Sequence, residues 1–197
     1  LDLEGRARTV PWSMGPFERN RGTVVYEALS VEDGKATPLV GDSLDLWVGD
    51  MNTDTGTRGF LGFNITGLDK GEIEYAECRV YRFNTVGNPQ ALGGEILVDH
   101  VDFRVSGVGA ASYGLTPLPG GAGFTGFPMG GANGYRSFEA TEQVRWNTEN
   151  HSAPLRAQFR LRTDPETNND GISDQERFYS VEAGINPPLL IVSYREK

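Results

Sequence analysis

The chain has 197 residues, long enough for one domain of ordinary size with a sizeable core. Its 27 acidic residues against 18 basic ones leave a formal charge of −9, which argues against nucleic-acid backbones and anionic membranes as partners and favours cations. A single cysteine, Cys78, excludes an intramolecular disulfide, and no apolar run approaches the length of a membrane-crossing helix.

The first 40 residues set Arg6, Arg8, Arg19 and Arg21 among Pro11, Pro16 and several glycines, ahead of a strand-like stretch at 23–31. That composition predicts an arm or added strand over residues 1–40. The chain opens on Leu1 without a cationic leader and apolar run, which predicts the mature form of an exported protein after signal-peptide removal. Period-two alternation then takes over. Leu44, Leu46 and Val48 alternate with Asp45, Trp47 and Gly49, and Leu61, Phe63 and Ile65 repeat the pattern after a turn-rich segment at 50–59.

Further strands are predicted at 73–83, 96–105, 155–162, 178–182 and 189–194, and only 139–146 has room for a helical turn. The fold class is therefore all-β, with strands spaced as in a sandwich or jelly roll. Residues 107–134 carry ten glycines and three prolines together with Tyr113, Phe124, Phe127 and Met129. This stretch reads as a long ordered Gly-rich surface loop whose apolar residues dock on a neighbour.

No catalytic pattern surrounds the two histidines. His100 and His151 belong to no HExxH, and there is no GxSxG or CxxC. Gly121, Gly123 and Gly126 satisfy GxGxxG, but between prolines, not between a strand and a helix. The chain reads as no enzyme; a glycan hydrolase or lyase assembled from scattered acids, arginines and tyrosines is the outside reading.

Two acidic loops have oxygen ligands at alternate positions, the arrangement a hard cation such as structural calcium takes. One is Glu166, Asn168, Asp170 and Asp174 around Gly171, with Arg177 where a bidentate acid is expected. The other is Asp50, Asn52 and Asp54 before Gly56. Side chains bonding their own backbone in turns are the alternative. On the stretch 155–162, Leu155, Ala157, Phe159 and Leu161 alternate with Arg156, Gln158, Arg160 and Arg162. The arginines form a basic face that grips the carboxylates of an acidic polysaccharide or pairs with nearby Asp and Glu. Trp47 and Tyr81 are further candidates for a glycan. Sequons at Asn64-Ile65-Thr66 and Asn150-His151-Ser152 permit N-glycosylation in a suitable host.

Several blocks together resemble the DNRLRE domain family. They are Gly41-Asp42-Ser43-Leu44, Val48-Gly49-Asp50, and Arg58-Gly59-Phe60-Leu61-Gly62-Phe63-Asn64-Ile65, then Ile73, Ala76, Cys78, Val80 and Tyr81. Leu92-Gly93-Gly94-Glu95-Ile96-Leu97-Val98, residues 141–146, Glu182 and residues 187–194 complete the likeness over 41–197. The resemblance implies a jelly-roll β-sandwich over 41–197, export, and roles in cell-envelope architecture or polysaccharide binding; it brings no catalytic residues. The chain is thus expected to be an extracellular or cell-surface structural subunit. In that reading it polymerises with copies of itself into a filament or surface layer, a strand of one copy adding to the sandwich of the next. The alternative is a carbohydrate-binding module for acidic polysaccharide.

Overall fold

The computed structural model describes residues 21–42, 44, 46–68, 71–103, 107–151 and 154–196. Alternating side chains in short, turn-bounded runs produce antiparallel strands, and every strand pairing is antiparallel. The strands are β1 (Arg21–Glu27), β2 (Gly34–Ala36), β3 (Gly41–Asp42), β4 (Leu46–Met51), β5 (Thr55–Asn64), β6 (Gly71–Val86) and β7 (Glu95–His100). A short helix α1 (Ala110–Tyr113) precedes β8 (Thr125–Pro128) and β9 (Gly134–Glu139), and α2 (Thr141–Asn150) precedes β10 (Arg156–Arg162), β11 (Asp174–Phe178) and β12 (Leu189–Glu196).

They join in one strongly curled sheet, a half-barrel, in the order β1-β12-β6-β11-β4-β5-β10-β7-β8, with β2 and β3 beside β5 and with β9 on the far side of β6. The curl turns about β5. Its first residues pair with β4 and its later ones with β10, so one strand belongs to both halves. The halves face each other through aromatic rings. Phe127 of β8 meets Phe178 of β11 at 6.1 Å between ring centroids, and Phe138 of β9 meets Phe159 of β10 at 5.4 Å. Around them lie Leu46, Val48, Leu61, Phe63, Ile96, Val98, Leu190 and Val192, all fully buried, with Cys78 among them. Burial pushes the Cys78 thiol well up, which makes it an inert core side chain. A second, smaller cluster gathers Ala36, Phe60, Val101 and Phe103 beneath Tyr113 and Leu115.

Three expectations change in detail. Residues 107–134 are no apolar surface loop: the stretch contains α1 and β8, Phe127 and Met129 are in the main core, and Phe124 packs against it. Glycine-rich composition hid a strand whose large residues point inward. The strand expected at 178–182 lies earlier, at 174–178, because polar Asp174, Gln175 and Glu176 are buried there. The arm expected over 1–40 divides: residues 1–20 lie outside the described residues, whereas 21–40 pair with the sheet through β1 and β2. The helical turn expected at 139–146 is α2, fixed to β6 where Thr141 Oγ1 accepts from the backbone N–H of Ala76 at 3.0 Å.

Candidate functional site

The basic strand is closed by acids from elsewhere in the fold. β10 lies between β5 and β7, a position that buries most of its residues. Arg160, only 4% exposed, stands opposite Asp99 of β7 and donates to its Oδ2 from Nε at 2.9 Å and Nη2 at 2.6 Å. Its Nη1 donates to the carbonyl of Leu115 at 2.6 Å, and Arg162 Nε reaches the same Asp99 oxygen at 3.0 Å. Burial pushes the Asp99 carboxyl up, but the Gly123 N–H and the two guanidiniums outweigh it and hold the group below its ordinary range. Arg156 donates to buried Glu32 at 3.0 Å and to Asn64 at 2.8 Å. Glu32 also accepts from Gln158 at 2.8 Å, and a Cβ at Gly62 would overlap its side chain, which is why that strand position is glycine. Paired with nearby acids, the three arginines are occupied inside the fold.

The aromatic candidates are occupied too. Lys35 lies 3.5 Å and Arg177 3.9 Å from the Trp47 ring centroid. Tyr81 stacks with Tyr179, which stacks on Phe83 at 4.6 Å and 13°, and Tyr135 meets Tyr81 edge-on at 5.1 Å. Rings that cover one another leave little face for a sugar.

The two acidic loops come to one corner. Asp50 and Asp174 are directly opposed across β4 and β11. Asp50 Oδ2 accepts from Thr167 Oγ1 at 2.6 Å and from the Asn168 N–H at 3.3 Å, and Asp174 Oδ2 accepts from Asn168 Nδ2 at 2.9 Å. Asp170 shares that amide at 3.0 Å, and Asp54 Oδ1 accepts from the Gly171 N–H at 2.8 Å. Glu166 faces away: it pairs with Arg58 and accepts from the Tyr113 hydroxyl, and burial first, then Glu166, push that phenol up to about 12 against the opposing Arg58. Asn52 contributes its backbone N–H to Ser173 at 2.9 Å and is otherwise exposed. Among the described residues no three His, Cys, Asp or Glu side chains group to hold a metal ion.

His100 is a core residue. It is buried between Trp146 and Phe159, its Nε2 accepts from Asn147 Nδ2 at 3.0 Å, and burial lowers its pKa to about 4. A ring already holding its acceptor nitrogen against an amide is poorly placed as a general base.

Another unsatisfied feature is a backbone edge. β1 pairs with β12 on one side and with no strand of the described residues on the other. Its residues alternate between half-buried, with Val24 and Tyr26 against the core, and exposed, with Val25 at 54%. The opposite end of the sheet is blunted: β8 has four residues and ends in Pro128. Sequence reading placed a strand near β1 but could not show that its outer edge stays open. It also missed Asp99 and Glu32; an acid inside the apolar run 95–100 was the one signal available for Asp99. No protein-family model matches the chain, and no curated protein matches it significantly.

Proposed function

We propose that the chain is a non-catalytic, extracellular structural subunit that assembles with copies of itself by adding a strand to the open edge of β1. The observation that carries this reading is the edge itself. Folded proteins usually protect long edge strands with proline, lysine, a bulge or a covering element. β1 has seven residues, including the β-branched Thr23, Val24 and Val25, and neither proline nor lysine. Alternate N–H and C=O groups of such a strand face away from β12 and suit an extended segment from a neighbour. Residues 1–20 lead directly into β1 in the chain, so in this reading they supply that segment, and the contact repeats head to tail. The curled sheet is, in the same reading, a jelly-roll sandwich of the DNRLRE kind. The acidic-glycan alternative draws less from the geometry, because Arg156, Arg160 and Arg162 are already paired.

Electron microscopy and sedimentation of the full chain over a wide concentration range test the reading, beside a chain beginning at Arg21 and the variant Val25→Lys. Filaments or concentration-dependent oligomers from the full chain alone support strand addition. A monomer at every concentration removes it.

A further inference from the structure

We infer that the corner between Asp50 and Asp174 binds a divalent cation, with calcium as the fitting ion. Both carboxylates are buried, Asp50 at 0% exposure and Asp174 at 2%, and they belong to directly paired residues of antiparallel strands. Such a pair places its side chains on one face with Cβ atoms roughly 5 Å apart, where like charges repel. No ion pair of the described residues involves either acid. A second observation does not depend on the repulsion between the two acids: Asp50 Oδ1 is shielded from solvent and has no hydrogen-bond partner. The carboxyl that carries it sits against the 167–168 segment through its other oxygen. A buried carboxylate oxygen with no donor is costly, and a cation removes that cost together with the repulsion.

The rest of the corner is oxygen-rich and held in place. Asp174 Oδ1 accepts from the Asn88 N–H at 2.5 Å, and a Cβ at Gly87, where φ is +65°, would strike this carboxylate. Asn168 turns its amide nitrogen to Asp174 and Asp170. Reversing that amide would present Oδ1 instead, and its two ends have nearly the same shape. Two carboxylates with the Asn168 amide, the Thr167 hydroxyl and water make the mixed all-oxygen set that calcium accepts and softer metals do not. With only two buried acids the site differs from a three-carboxylate centre.

Thermal melts of the full chain in chelator, in calcium chloride and in sodium chloride at matched ionic strength test the site, with calorimetric titration of calcium alongside. Calcium at a hundredfold excess over its Kd is expected to raise the midpoint by roughly 5–10 °C. Asp174→Asn and Asp50→Asn should each lose that shift while melting in chelator no lower than the parent, since the opposed charges are gone. Titration on the unaltered chain needs no variant to fold. An unmoved midpoint with a flat titration overturns the assignment, and so does a calcium shift that survives in both variants.

Discussion

Two buried corners of the same sheet handle charge in opposite ways. At Asp99 one carboxylate receives Arg160, Arg162 and a backbone N–H, so positive groups outnumber the negative one. At Asp50 and Asp174 two carboxylates face each other and are met only by neutral donors. The surplus of nine negative charges is therefore unevenly distributed in its consequences. The first corner is complete without any other molecule, which is why its arginines make poor glycan ligands. The second is incomplete on its own.

The strongest way to break the contrast is to empty the first corner. Asp99→Ala leaves Arg160 buried and unpaired, and removing one member of a buried ion pair costs about 3–5 kcal/mol. Urea unfolding of the variant should show that loss. Retained stability would mean that the Leu115 and Tyr113 carbonyls, which accept from Arg160 Nη1 at 2.6 Å and 3.3 Å, suffice to hold the guanidinium. Nearly as large is the effect of acid on His100, a buried titratable group that stays neutral. Its folded pKa of about 4 lies below the unfolded value, so the unfolded chain binds the proton more readily. Stability is then full above about pH 6.5 and falls as pH drops toward 4, by about 3 kcal/mol for this group. Melts of the unaltered chain and of His100→Gln between pH 7 and 4 check it, and the variant should show a flatter profile.

Asp33 sharpens the comparison, because with Glu182 it makes another close carboxyl pair, one that resolves its repulsion with a proton. Burial first, with Glu182 second among the raising influences, pushes Asp33 up to about 8 against the opposing Val181 N–H. The folded state holds the proton longer than the unfolded chain. Stability from this group is complete below about pH 4 and is lost as pH rises through 8. Asp33→Asn keeps an acceptor for Val181 and a donor toward Glu182 without ionising. It should stabilise the fold distinctly more at pH 9 than at pH 5, because only the parent ionises as pH rises toward 8. Equal effects at both values would show that ionisation of Asp33 is not the cause.

Much of the sheet was legible from alternation alone: 73–83 falls inside β6, and Phe159 and Leu161 are core residues on the apolar side of β10. Pairing partners were not legible, because Asp99 lies 61 residues from Arg160 and Glu32 lies 124 from Arg156. Period two tells which residues share a face; it is silent on which strand arrives beside them. The same limit explains why a basic stripe read as a surface, and why two loops more than a hundred residues apart gave no sign of meeting. Glycine misled in the other direction. In 107–134 its frequency suggested a loop, while Phe127 and Met129 had the spacing of an inward-facing strand.

The smallest effect belongs to an ion pair that resembles the Asp99 corner in its atoms and differs in its surroundings. Arg79 donates to Glu77 at 2.8 Å and 3.1 Å on the outer face of β6, a geometry as good as that of Arg160 with Asp99. Arg79 is open to water there and Glu77, partly exposed, keeps a hydrogen bond with Ser137, so separating them leaves no buried unpaired charge. Arg79→Ala should leave the melting midpoint unchanged within error, and raising the salt concentration should leave it so. A loss comparable to that of Asp99→Ala would show that hydrogen-bond geometry, and not desolvation, sets the worth of charge pairs in this sheet. A cation between Asp50 and Asp174 follows from the opposite ranking, because only a buried uncompensated charge needs a partner.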